Sequence, residues 1–155
     1  MNNIRQAKED DLPRILELYQ ELTEEKQTVP SEIVQRVFSE ITALPHQQFL
    51  VIEKDSLVVG TLFLQITPNL SHEARPWAVL ENLVVDHRYR GYGFGRLLIE
   101  YALAACRQAS CYKVQLLSSN KRKGAHQFYR SQGFEESAVG FRMYLEKAAA
   151  EAGGT

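Results

Sequence analysis

The chain has 155 residues, 45% of them hydrophobic and 24% charged, with a formal net charge of −1. That length suits one globular domain with a single core. The charge balance argues against a dedicated nucleic-acid binder, which carries a basic excess, and no apolar run approaches the roughly 20 residues of a bilayer span.

Asn3 to Gln6 reads as a short strand. Asp10-Asp11-Leu12-Pro13 opens a helix, with acid before a first-turn proline, and Leu12, Ile15, Leu16, Tyr19 and Leu22 follow at helical spacing. After a polar loop from Thr23 to Thr28, Pro30-Ser31 opens a second helix with Ile33, Val34, Val37, Phe38 and Ile41 as its apolar stripe. Phe49 to Glu53 and Leu57 to Thr67 read as strands joined by a hairpin at Lys54-Asp55-Ser56. Pro68 to Pro76 is a loop. Trp77 to Val85 is an apolar run, interrupted by Glu81 and Asn82, that resembles a strand covered on both faces. A helix from about Arg96 to Gln108, a strand from Lys113 to Leu117, a helix from Lys123 to Gln132 stopped by Gly133, and a final strand from Ala138 to Leu145 complete the order. This alternation predicts a mixed sheet with helices on both faces. Residues 1–147 are expected to form the domain and 148–155 a disordered tail.

Cys106 and Cys111 form no CxxC pair and read as two reduced thiols. His46, His72, His87 and His126 show no ligand spacing, so no metal site is expected. Met1 to Lys8 is polar and lacks a secretory signal, which makes the cytoplasm the expected compartment.

The chemistry concentrates in Val84-Val85-Asp86-His87-Arg88-Tyr89-Arg90-Gly91-Tyr92-Gly93-Phe94-Gly95-Arg96. A strand ends, a glycine-rich turn follows and a helix begins. The first N–H groups of a helix lack internal partners and sit at the positive end of its dipole. Glycines let the turn take positive φ and let a ligand approach the backbone. The expected product is an anion nest. A P-loop needs Gly-Lys-Ser/Thr, which Gly95-Arg96-Leu97 does not supply. A Rossmann fingerprint needs a glycine where Arg96 stands.

Arg-x-x-Gly-x-Gly, read at Arg90, Gly93 and Gly95, resembles the cofactor motif of the GNAT superfamily of acetyl-CoA-dependent N-acetyltransferases. Asn120, followed by Ala125-His126-Gln127-Phe128-Tyr129-Arg130-Ser131-Gln132-Gly133-Phe134, resembles the second signature of that family. The resemblance is strong from about Leu80 to Phe134. It implies an α/β single-domain fold: a mixed, mostly antiparallel twisted sheet with helices on both faces and a splayed central strand pair. It implies acetyl-CoA as acetyl donor, its pyrophosphate on the amides of Arg90, Gly91, Tyr92, Gly93, Phe94, Gly95 and Arg96. It also implies a pantetheine arm on the backbone of Leu83, Val84 and Val85, with Asn120 assisting. Tyr129 is counted with the cofactor-binding residues and becomes the candidate general acid, protonating the departing thiolate. Lys121-Arg122-Lys123 could meet the 3′-phosphate of the cofactor.

Glu81 stands out without the family. It interrupts an apolar run, on the face of Val79 and Leu83 unless a bulge intervenes, so it is expected to be desolvated and suited to act as base or to bind the acceptor, the alternative being a structural glutamate paired with an arginine or a backbone amide. Trp77 reads equally as acceptor-pocket lining or as core. The expected acceptor is a small polar amine: an amino sugar, an aminoalkylphosphonate or a polyamine. A protein lysine, an N-terminal amine, or a non-catalytic acyl-CoA-binding module are the alternatives. Val139 to Leu145 could supply a strand to a homodimer.

Overall fold

A computed structural model describes residues 2–26 and 28–145. The tail expected over 148–155 lies outside them. Residues up to Leu116 form one compact unit, and Leu117 begins a second, smaller one.

The first unit runs β1 (Asn2–Gln6), α1 (Leu12–Thr23), α2 (Ser31–Thr42), β2 (Gln47–Lys54), β3 (Leu57–Thr67), the single left-handed turn α3 (Ser71–Ala74), β4 (Trp77–Val85), α4 (Phe94–Gln108) and β5 (Lys113–Gln115). The sheet order is β1-β2-β3-β4-β5. The first three pairings are antiparallel and β4–β5 is parallel, as a helical crossover requires. The hairpin turns at Asp55-Ser56, whose φ values of 50° and 66° are both left-handed, as a two-residue primed turn demands.

Alternation along the strands sorts the core into two faces. Ile15 and Leu18 of α1 pack with Val51, Val58 and Val84. The alternate face carries buried Leu50, Leu62, Leu64 and Leu80, which leaves it for α4, where Leu98, Ile99 and Ala102 are buried. Gly60 permits the tight approach of β3 to the end of β4. A Cβ there would stand 3.1 Å from both Ile52 Cγ2 and Val84 O.

Two irregularities in β4 matter for the site. Thr61 pairs with Val84 but Phe63 with Glu81, so Asn82 and Leu83 together oppose the single residue Leu62. Asn82 takes φ 52°, a conformation that asparagine tolerates better than most residues. The bulge moves Val84, rather than Leu83, onto the face of Glu81 and Val79. Second, the β4–β5 ladder covers only Trp77–Val79 against Lys113–Gln115. From Leu80 on, β4 has no ladder partner on that side among the described residues. This is the divergence that the splayed pair called for, and it shortens the strand expected over Lys113–Leu117.

The second unit contains α5 (Lys123–Ser131). It ends at Gly133, φ 89°, with Phe134 N–H donating to Tyr129 O at 3.1 Å and Gly133 N–H to Arg130 O at 3.0 Å, a Schellman motif. The strand expected over Ala138–Leu145 is not formed. Val139, Phe141, Met143 and Leu145 are 78%, 91%, 85% and 90% exposed. Alternating apolar residues specify which way side chains point, but a strand forms only where a neighbouring edge takes its backbone hydrogen bonds.

Candidate active site

Between β4 and α4 the chain first makes a short 3-10 turn (His87–Tyr89) and then passes through Gly91 and Gly93, both at φ 83°. Beyond the adjoining residues of the chain, no heavy atom lies within 4 Å of a Cβ built on either glycine, so their absent side chains reflect backbone conformation and open space rather than crowding. Arg90, Gly91, Tyr92 and Gly93 are exposed, while Phe94 is buried and fixes the start of the helix. Leu97 N–H donates to Gly93 O at 3.0 Å and closes the first turn. The N–H groups of Phe94, Gly95 and Arg96 are left pointing out of a helix N-terminus at a solvent-open backbone. The donor set fits a phosphate-bearing group.

The turn is held from behind by residues that sequence reasoning missed. The Asp86 side chain is fully buried and pairs with both Arg14 of α1 and Arg88, with Arg88 Nη2 at 2.7 Å. Asp86 Oδ1 also accepts from the Arg88 backbone N–H at 2.9 Å. The Arg88 guanidinium foremost, then its N–H and Arg14, hold the Asp86 carboxyl well below the usual carboxylate range, against its burial. Arg14 donates in addition to Val58 O at 3.0 Å. Two helical turns further along α1, Glu21 accepts from His87 N–H at 3.1 Å and faces Arg90 Nη2 at 3.5 Å. Arg90 Nε donates to Val85 O at 3.0 Å, so this arginine braces the turn against its own strand. Glu21, Asp86 and His87 bring ligand atoms within 4.8 Å of one another. Arg14, Arg88 and Arg90 already neutralise those carboxylates, which works against a bound cation. The missed residues left only a faint trace: Arg14 and Glu21, seven apart on a helix, read like any solvated face.

On β4, Glu81 is exposed. The desolvation expected from its apolar neighbours does not hold: Glu81 stands beside the bulge at Asn82 with Phe63 as its cross-strand neighbour, and Glu81 and Asn82 are both exposed. Leu83 and Val85 are half-buried and Val84 is buried, so their side chains belong to the packing while their backbone borders the divergence from β5. The Tyr19 hydroxyl is buried beside the Asn82 side chain without a well-formed hydrogen bond, and burial pushes this phenol up to about 12. Trp77 is half-buried, with Lys113 Nζ 5.5 Å from its ring centroid. Before it, His72, Glu73 and Ala74 all take left-handed φ, so the loop expected over Pro68–Pro76 holds a strained turn, pinned by His72 stacking on Tyr112 at 4.0 Å.

In the second unit, Asn120 is exposed in the turn before α5. Arg122 N–H donates to Ser119 O at 2.9 Å, and His126 Nε2 lies 2.8 Å from the same carbonyl, which requires that nitrogen to carry the proton. Tyr129 is half-buried between Phe128 and Phe134, at 5.4 and 6.0 Å between ring centroids. The Gly133-Phe134 pair thus has a local cause: the glycine takes the left-handed position and the phenylalanine packs on Tyr129. Lys121, Arg122 and Lys123 are exposed.

A strand that diverges from its parallel neighbour, followed by a glycine turn at a helix N-terminus, is accompanied by a family match. The sequence profile of the acetyltransferase (GNAT) family matches residues 12–134. The chain belongs to the GNAT family. It is 32% identical over 142 residues to a glucosamine 6-phosphate N-acetyltransferase of Trypanosoma brucei brucei, covering 92% of this chain and 95% of that one. It is 30% identical over 101 residues to an aminoalkylphosphonate N-acetyltransferase of Salmonella typhimurium, covering 65% of each. The crystal structure of glucosamine-6-phosphate N-acetyltransferase from Arabidopsis thaliana superposes with a TM-score of 0.84 at 26% identity, covering 94% of this chain and 99% of that one. The GNAT chain is an acetyl-transferring enzyme with the expected fold. No helix among the described residues is long and apolar enough to cross a membrane.

Proposed function

We propose that residues 1–147 act as one cytoplasmic domain that transfers an acetyl group from acetyl-CoA to the primary amine of a small polar acceptor. Amino sugars, aminoalkylphosphonates and polyamines are the acceptor types. The observation that carries this reading is the outward-pointing N–H set at Phe94–Arg96, at the end of a strand freed from its neighbour after Val79. Acetyl-CoA supplies the thioester. The amides of Arg90 to Arg96 hold its pyrophosphate, the backbone of Leu83 to Val85 and Asn120 hold the pantetheine arm, and Lys121-Arg122-Lys123 meet the 3′-phosphate. Glu81 Oε takes the proton of the acceptor ammonium, and its exposure leaves it open to an incoming cation. Tyr129 Oη gives a proton to the departing sulfur. The names of both relatives denote small amines that carry phosphate or phosphonate, which supports an acceptor of that size.

The test is CoA thiol release from acetyl-CoA with amino-sugar phosphates, aminoalkylphosphonates, polyamines, amino acids and lysine peptides. Release above hydrolysis with the phosphorylated or phosphonylated amines is expected, and release with lysine peptides alone would overturn the acceptor class. On the best acceptor, Tyr129→Phe should lower kcat by about a hundredfold, the low end of general acid catalysis, with CoA affinity unchanged. An unchanged kcat removes Tyr129 as the acid. A homodimer belongs to the same proposal, with the exposed run Val139–Leu145 as the pairing strand. Sedimentation at micromolar concentration is expected to give a dimer, and a monomer alone removes it.

A further inference from the structure

We propose that Cys106 and Cys111 are a two-thiol redox site that closes to an intramolecular disulfide in the presence of a low-molecular-weight disulfide. The geometry comes from the end of α4. Ser110 takes φ 59°, Cys111 N–H donates to Cys106 O at 3.0 Å and Ser110 N–H donates to Arg107 O at 3.0 Å. This is a Schellman motif, whose two hydrogen bonds fold the residue after the left-handed one back over the side chain five positions earlier. The same motif ends α5, and there the two positions are Tyr129 and Phe134, in ring contact at 6.0 Å. At the end of α4 both positions are cysteine, both are unbridged, and the chain has no third.

The two thiols differ in access. Cys106 is 2% exposed, and burial pushes its thiol up to about 12. Cys111 is half-buried, its carbonyl held by Arg75 Nη2 at 3.2 Å, and burial raises its thiol as well. Each thiol shifts the titration of the other. Cys111 is the entry point. Its thiolate attacks one sulfur of the external disulfide, forming a mixed disulfide and expelling one thiolate. The Cys106 thiolate then attacks Cys111 Sγ and expels the second. The protein loses two electrons and two protons, and the external disulfide becomes two thiols. The bridge ties the last turn of α4 to the residues that enter β5, whose ladder on β4 begins at Lys113.

The inference is independent of the acceptor and of acetyl transfer. Full-length protein is treated with oxidised glutathione in mildly alkaline buffer, and intact mass and free thiols are then measured under denaturing conditions. The expected product has lost two hydrogens, carries no glutathione, titrates no thiol and is restored by dithiothreitol. Cys106→Ala, with Cys106→Ser as the better-packed second variant, should instead retain one glutathione on Cys111. A wild-type product that keeps glutathione on Cys111, forms a covalent dimer or leaves both thiols free overturns the proposal, whether or not the variants fold.

Discussion

Gly93→Glu weakens CoA binding by about a hundredfold or more, equivalent to ~2.7 kcal/mol. Two causes act at one position. Gly93 sits at φ 83° as the residue before α4, where a side chain costs roughly 1–2 kcal/mol. The new carboxylate also competes for the N–H groups of Phe94, Gly95 and Arg96 that the cofactor's pyrophosphate is proposed to use. Gly93→Ala separates the two, since it carries the backbone strain without the charge, and should lose about tenfold at most. Titration calorimetry with CoA measures both. Unchanged affinity in Gly93→Glu would remove the turn as the phosphate site.

Asp86→Ala destabilises the fold by about 3–5 kcal/mol, the usual cost of removing one partner of a buried ion pair. Its side chain is fully buried, and Arg14, 18% exposed at its side chain, would lose the buried carboxylate it faces. Urea denaturation of the two proteins gives the difference at neutral pH. The pH dependence follows from sign. The folded-state pKa of Asp86 is depressed by Arg88 and Arg14, so its stabilisation is fully present above the unfolded value of about 3.9 and is lost as pH falls toward the folded one. The gap between wild type and Asp86→Ala therefore narrows below about pH 4. A gap that stays constant through that range would show that the charge is not what Asp86 contributes. CoA affinity should fall in the variant too, because the 86–90 turn loses its buried anchor.

The turn itself was legible in the sequence because its glycines answer a conformational demand that few residues meet: Gly91 and Gly93 are where φ becomes positive. The hairpin and the three long helices α1, α2 and α4 were legible from the sequence pattern. Glu81 shows the limit of that reasoning. An apolar run says that neighbours are packed, but it does not reveal a bulge, and the carboxylate expected to be buried stands exposed beside the one at Asn82. The interruption Glu81-Asn82 was its only trace. Val139–Leu145 shows a second limit, since alternation fixes a face and leaves the partner edge unstated. Arg14 and Glu21 were invisible for a third reason. Their partners, Asp86 and His87, lie 72 and 66 residues away, and no local pattern encodes that meeting.

Those long separations also set when the turn acquires its shape. The glycines and the start of α4 are local and can form early, but the anchors at Asp86 and His87 exist only after α1 has crossed the sheet and docked. The nest is therefore expected to share the cooperative stability of the first unit, to which its anchors belong, rather than that of a surface loop. A ligand held there raises the unfolding midpoint of the entire unit by mass action. If the donor binds there as proposed, its supply is expected to set how much of the enzyme survives turnover by proteases in a cell, as well as how fast it works.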